Sequence, residues 1–104
     1  MRLLLAAALA AVLFAGCVQP GEQNARLACE QLCSQAKAAG TSLANGPCLG
    51  QLSTQGLSDW VCDVAHSPRQ DVDNLVENQC AAYRSGAATH FVEVDEQCTA
   101  FRAQ

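Results

Sequence analysis

The sequence predicts a small α+β domain stapled by disulfides, with two helices packed on a two- to three-stranded antiparallel sheet. Three observations lead there. Cysteines are dense after residue 17 of the 104-residue chain. Two segments space their apolar residues for a helix face, and two others concentrate aromatic and β-branched residues as strands do. An all-α disulfide bundle is the alternative.

The first helix runs from Asn24, a candidate cap, to Ala39, with Gly40 as its stop. Leu27, Leu32, Ala36 and Ala39 recur at helical intervals. Cys29 and Cys33, four apart, share the face beside Ala36 and point to the core. Thr41 to Gly56 reads as loop, with a turn at Asn45-Gly46-Pro47 and a short helical turn at Leu49 and Leu52. Trp60-Val-Cys-Asp-Val-Ala-His66 favours a strand, with a short helix capped by Ser58 as its rival. Ser67 and Pro68 could open a second helix, or Asp73 or Asn74 could cap one running to about Arg84, its face formed by Leu75, Val76, Gln79, Cys80 and Tyr83 and its end marked by Gly86. Thr89 to Val94 is the best strand candidate. Asp95-Glu96-Gln97 turns the chain, and Cys98 to Arg102 returns as a short strand.

Ahead of this domain stands a leader. Arg2 gives it a positive charge, Leu3 to Phe14 are twelve consecutive apolar residues, and small Ala15-Gly16 follow, the order of a secretory signal. Twelve residues rise only roughly 18 Å as a helix, short of the roughly 30 Å hydrocarbon core, so export is preferred to a permanent span. Without residues 1–16, 88 residues remain with five basic and ten acidic side chains, a formal charge of −5. With no basic cluster, neither nucleic acid nor electrostatic adhesion to anionic lipid is expected.

The seven cysteines are an odd number for an exported chain. Leu13-Phe-Ala-Gly-Cys17 accounts for the extra one, because it resembles the lipobox of bacterial lipoproteins. The resemblance covers the leader and its cleavage site alone. It implies that Cys17 becomes the new N-terminus and carries a diacylglycerol and fatty acyl (palmitate-type) chains, enough for stable anchoring. It also implies, through Val18, the outer membrane where a cell has two. An ordinary signal cut near Ala15 or Gly16 is the alternative, with Cys17 free or paired between chains and the protein secreted in soluble form. The expected organisation is therefore 1–16 signal, 17–24 lipidated cysteine and tether, and 25–104 globular domain. For that last part no named family suggests itself; it looks like other small cysteine-rich exported proteins.

The remaining six cysteines, Cys29, Cys33, Cys48, Cys62, Cys80 and Cys98, are expected to pair in the oxidising compartment beyond the membrane. Fifteen connectivities are open. The chosen one is Cys33–Cys48, which closes a short loop, with Cys29–Cys62, and Cys80–Cys98, which ties a helix to its following hairpin. No C-x2-C pair signals a redox site or zinc ribbon.

The densest mixture of chemically useful side chains is Trp60, His66, Arg69, Asp73 and Asn74, to which His90 is added as a ligand or partner site. Arg69 could fork onto a carboxylate or phosphate, or simply pair with Asp71 or Asp73. His66 lies three residues from Asp63, and His90 three from Glu93 and five from Asp95. Within one strand such pairs point to opposite faces, but the histidines could converge if residues 60–66 pair with 89–95. Ser58, Ser67 and Ser85 occur in no nucleophile turn of the G-x-S-x-G kind. Asp71, Asp73, Asn74 and Glu77 are oxygen-rich, yet Leu75 and Val76 occupy positions an EF-hand cannot give up, so acid at a helix N-terminus explains them better. No metal, cofactor or catalytic residue is assigned. A lipid-anchored envelope protein that binds an unknown protein or small molecule, or serves a structural role, is the leading expectation. A small exported hydrolase or metal-dependent enzyme using His66, His90 and nearby carboxylates is the alternative.

Overall fold

A computed structural model describes residues 20–53 and 56–104. The leader and Cys17 lie outside the described residues. Helix α1 spans Pro20–Ala38, strand β1 Cys48–Gln51 and strand β2 Trp60–Val64. Two 3₁₀ turns, Asp71–Asn74 and Val76–Asn78, lead to the short helix α2, Ala81–Ser85, and then to β3, His90–Val94, and β4, Ala100–Ala103. The α+β class and the disulfide staples are as expected. The sheet differs: it has four strands in the order β1-β2-β3-β4 and is mixed. Its outer pairs are antiparallel, but β2 and β3 run parallel.

Each element has a local cause. Proline is pre-organised for the first turn of a helix, and α1 accordingly starts at Pro20 rather than at the expected cap Asn24. Residues 20–24, read as tether, are thus helical. Glu22 in the first turn meets Arg26 one turn on at 3.2 Å. The helix stops where expected. Gly40 takes a left-handed φ of 89°, its amide bonds to the Lys37 carbonyl, and the Thr41 amide bonds to Ala36. That is the paired bonding of a Schellman cap.

The expected long helix before Arg84 does not form. Cys80, which it would have placed in mid-helix, is extended and precedes α2 (φ −74°, ψ 115°). Side chains compete for the backbone over this stretch: the Asn78 amide donates to the Val72 carbonyl and the Gln79 amide to that of Asn74. Leu75 and Val76, assigned to a buried face, are exposed. No helix opens at Ser67-Pro68 either, because the Asp73 carboxylate instead accepts the amides of His66 and Gln70. Strand β1 replaces the expected loop and helical turn at Leu49 and Leu52. It is a four-residue edge strand, bulged between Cys48 and Gly50, with Gly50 at φ 111°.

The mixed sheet divides the molecule into two unequal layers. On one face α1 lays Ala25, Cys29 and Cys33 against Cys62 and Val64 of β2 and Val92 and Val94 of β3. On the other, the β2–β3 crossover covers Val61 and Phe91 with Cys80, Ala82 and Ala88. The disulfides follow this division. Cys29–Cys62 and Cys33–Cys98 lie in the α1 layer, and Cys48–Cys80 in the crossover layer. Cys29–Cys62 agrees with expectation. The expected Cys33–Cys48 and Cys80–Cys98 bridges are wrong, since each would have to pass through the sheet.

Candidate functional site

The crossover layer is short, and it leaves part of its sheet face uncovered. A cavity of about 480 Å³ opens there. Its floor is Val61 and Asp63 of β2 with Phe91 and Glu93 of β3. Strand alternation turns these four to one face, and the parallel register sets Asp63 directly beside Glu93. Cys80, Tyr83 and Arg84 from around α2 form one wall, and Arg69 and Arg102 each approach one carboxylate oxygen of Glu93. Tyr83 meets Phe91 edge-on at 5.2 Å, and the Arg102 guanidinium lies 5.1 Å above the Phe91 ring.

Glu93 is 5% exposed, an unusual burial for a carboxylate. Arg69 Nη1 donates to its Oε2 at 2.8 Å, but Oε1 accepts no hydrogen bond. Arg102 Nη1 is 3.6 Å from Oε1, an ion pair without a hydrogen bond. Asp63 Oδ1 is likewise buried and unpartnered. Burial, reinforced by the charge of Glu93, raises the Asp63 carboxyl to about 8. The floor thus carries one neutral acid and one carboxylate, each with an oxygen lacking a partner among the described residues. Such orphaned acceptors are scarce in folded proteins.

The three arginines are not equivalent. Arg69 has a partner at each nitrogen: besides Glu93 it donates to Asn74 Oδ1 at 2.7 Å and to the Asp73 carbonyl at 3.1 Å. The expected pairing with the Asp71 or Asp73 carboxylate does not form; Arg69 reaches the Glu93 carboxylate instead and takes only the backbone carbonyl of Asp73. Arg84 bonds to Gln79 Oε1 at 2.8 Å, and both Arg84 and Arg102 remain exposed.

Of the residues singled out from sequence, Arg69 alone lines the cavity. Asp73, 2% exposed, organises the loop beneath it. Burial pushes its carboxyl upward, but the Gln70 and His66 amides and the His66 ring outweigh that, leaving it below the ordinary value. His66 Nδ1 lies 2.9 Å from Asp73 and Nε2 3.3 Å from Glu96. Both imidazole nitrogens therefore face carboxylates. Trp60 and His90 belong to the opposite sheet face, where their rings stack at 4.5 Å. Parallel pairing places His90 opposite Trp60 and leaves His66 beyond the far end of β2. The two histidines do not converge. Near His90, the Thr89 hydroxyl and amide hold the exposed Asp59 carboxyl below its usual value.

The residues overlooked as a pair are Asp63 and Glu93. Each is the single charge within an otherwise apolar or aromatic strand, and that was the available signal. It gains meaning only once the strands are known to be neighbours. Among the described residues no cluster of three or more histidine, cysteine or acidic side chains is arranged for a metal ion, and no helix is long and apolar enough to cross a membrane. The sequence matches no known family model, and neither curated proteins nor solved structures give a match.

Proposed function

We propose that the chain is a lipid-anchored envelope protein whose domain is a binding module, with the Asp63–Glu93 cavity as its binding site. The observation that carries the binding role is the pair of unpartnered carboxyl oxygens beneath an open cavity bordered by arginine and aromatic side chains. Buried acceptors left unpaired are costly, and a ligand that donates to them recovers that free energy. Three disulfides suggest an exported protein, because such bonds persist outside the reducing cytosol. The anchor is supported by the leader pattern and by cysteine parity: the six cysteines after Cys17 are all paired with one another.

Intact mass of the membrane-extracted protein, with and without reductant, tests the anchor. The expected species lacks residues 1–16, carries a diacylglyceryl group and acyl chains on Cys17, and gains six hydrogens on reduction. A soluble species beginning after the leader with an unmodified Cys17 would refute anchoring while leaving the binding site untouched.

A further inference from the structure

We infer that the Asp63–Glu93 cavity binds an acidic sugar, a hydroxyl-rich ring bearing one carboxylate. This rests on the binding role proposed above and names the ligand class of the same site.

Three features of the cavity act together. The floor presents two buried carboxyl oxygens without partners, Glu93 Oε1 and Asp63 Oδ1, and the Glu93 acceptor requires a hydrogen-bond donor from the ligand. Arg69 and Arg102 flank Glu93 and Arg84 also lines the cavity, so donors carrying positive charge would enter a site lined by three guanidiniums. Hydroxyl groups donate without adding charge. They also accept, which suits Asp63, whose carboxyl stays protonated up to about pH 8 and can donate in turn.

The border supplies the second requirement. Arg69 already has a partner at each of its three nitrogens, whereas Arg84 bonds only through Nη1 and Arg102 pairs with Glu93 at 3.6 Å; both are exposed, and their planar forks match a carboxylate. With Asp63 neutral, the cavity is lined by three guanidiniums and one carboxylate, so its charge favours an anion. A bare anion would not answer the floor, where it would meet Glu93 and leave the Glu93 Oε1 acceptor unpaired. Tyr83, 42% exposed, and Phe91 supply the third feature, an apolar surface for the C–H face of a ring. A cavity of about 480 Å³ falls in the roughly 300–1,000 Å³ range of small-ligand sites.

The test uses the intact, disulfide-oxidised protein in detergent micelles, titrated with glucuronate, glucose, inorganic phosphate and methylammonium and followed by amide NMR shifts. Glucuronate is expected to give saturable shifts at residues 61–63, 83–84, 91–93 and 102–104, and to bind at least about tenfold tighter than any other probe. Replacing both exposed arginines, Arg84→Gln with Arg102→Gln, should weaken glucuronate by about tenfold or more and glucose by much less. Glu93→Gln should weaken both sugars. The arginine double variant alters only exposed side chains, so it decides the matter even if Glu93→Gln does not fold. Equal binding of glucose or phosphate, or indifference of glucuronate to the arginine pair, overturns the inference. If another probe saturates these residues while glucuronate does not, the ligand class is wrong and the binding site stands. If no probe moves them, both fail.

Discussion

Asp63 and Glu93 neighbour each other on parallel strands, and their fates diverge: Arg69 hydrogen-bonds to Glu93, while burial and the Glu93 charge outweigh the guanidinium's pull on Asp63. This divergence has a signature in stability. An unfolded chain releases the Asp63 proton near the ordinary value of 3.8, whereas the folded protein keeps it to about 8. Between those values the folded state binds the additional proton, so this contribution is full below about pH 4 and is lost as pH climbs toward 8. Asp63→Asn keeps the shape and cannot ionise. Urea midpoints of the variant should therefore decline less than those of the parent between about pH 5 and 8, and parallel profiles would contradict the assignment. Gly46 is decisive beside Val64, one residue further along β2. At φ 66° it brings the backbone against Asp73, and a Cβ there would run into Asp73 Oδ1 and lie 2.9 Å from the Val64 carbonyl. Gly46→Ala combines a left-handed alanine with that collision, and should lose at least about 1–3 kcal/mol in urea unfolding. The loss should be accompanied by a shift of the His66 ring signals, since His66 shares the Asp73 carboxylate.

At the scale of elements, legibility followed periodicity. Helix α1 and strands β2, β3 and β4 announce themselves by spacing and composition, and all are present, with ends displaced by a few residues. The crossover was misread because Leu75, Val76, Gln79 and Tyr83 sit at helical intervals without being buried together, and spacing cannot reveal what an element packs against. β1 has only four residues and a glycine bulge, too little for a pattern. The parallel pairing of β2 with β3 is a property of the whole crossover, and the Asp63–Glu93 site depends on it; from sequence the two acids were only neighbours of histidines. The same reasoning predicts how the crossover layer is held. A five-residue helix cannot persist alone, and α2 is retained by Cys48–Cys80 and a small apolar cluster. A Cys48→Ser, Cys80→Ser double variant should lose roughly 2–4 kcal/mol. Hydrogen exchange should locate the damage, with rapid exchange through residues 71–88 and continued protection of β2 and β3. Uniform loss of protection would show that the two layers unfold as one.

The whole molecule is small, and its interior is largely valine and half-cystine: Val61, Val64, Val92, Val94, Cys29, Cys33 and Cys62 are its largest fully buried side chains. Large aromatic mass, the usual means of deepening a small core, is left at the margins, where Trp60 and Phe91 are half-buried and Tyr83 and Phe101 exposed. Covalent bonds take its place. Cys33–Cys98 encloses 65 residues of separation, and the other two bridges 33 and 32, so the unfolded chain is constrained along most of its described length. Each such bridge stabilises by roughly 2–4 kcal/mol, against a total folding margin of roughly 5–15 kcal/mol for ordinary domains. Reduction of all three should therefore remove most or all of the margin. With excess dithiothreitol at neutral pH, the strand and helix signals in far-UV circular dichroism should collapse at about 25 °C, the amide NMR spectrum should lose its dispersion, and re-oxidation should restore both. A reduced protein that stays folded would mean that the two apolar layers suffice. The disulfides would then not be needed to hold the fold, and a cytosolic home would become tenable.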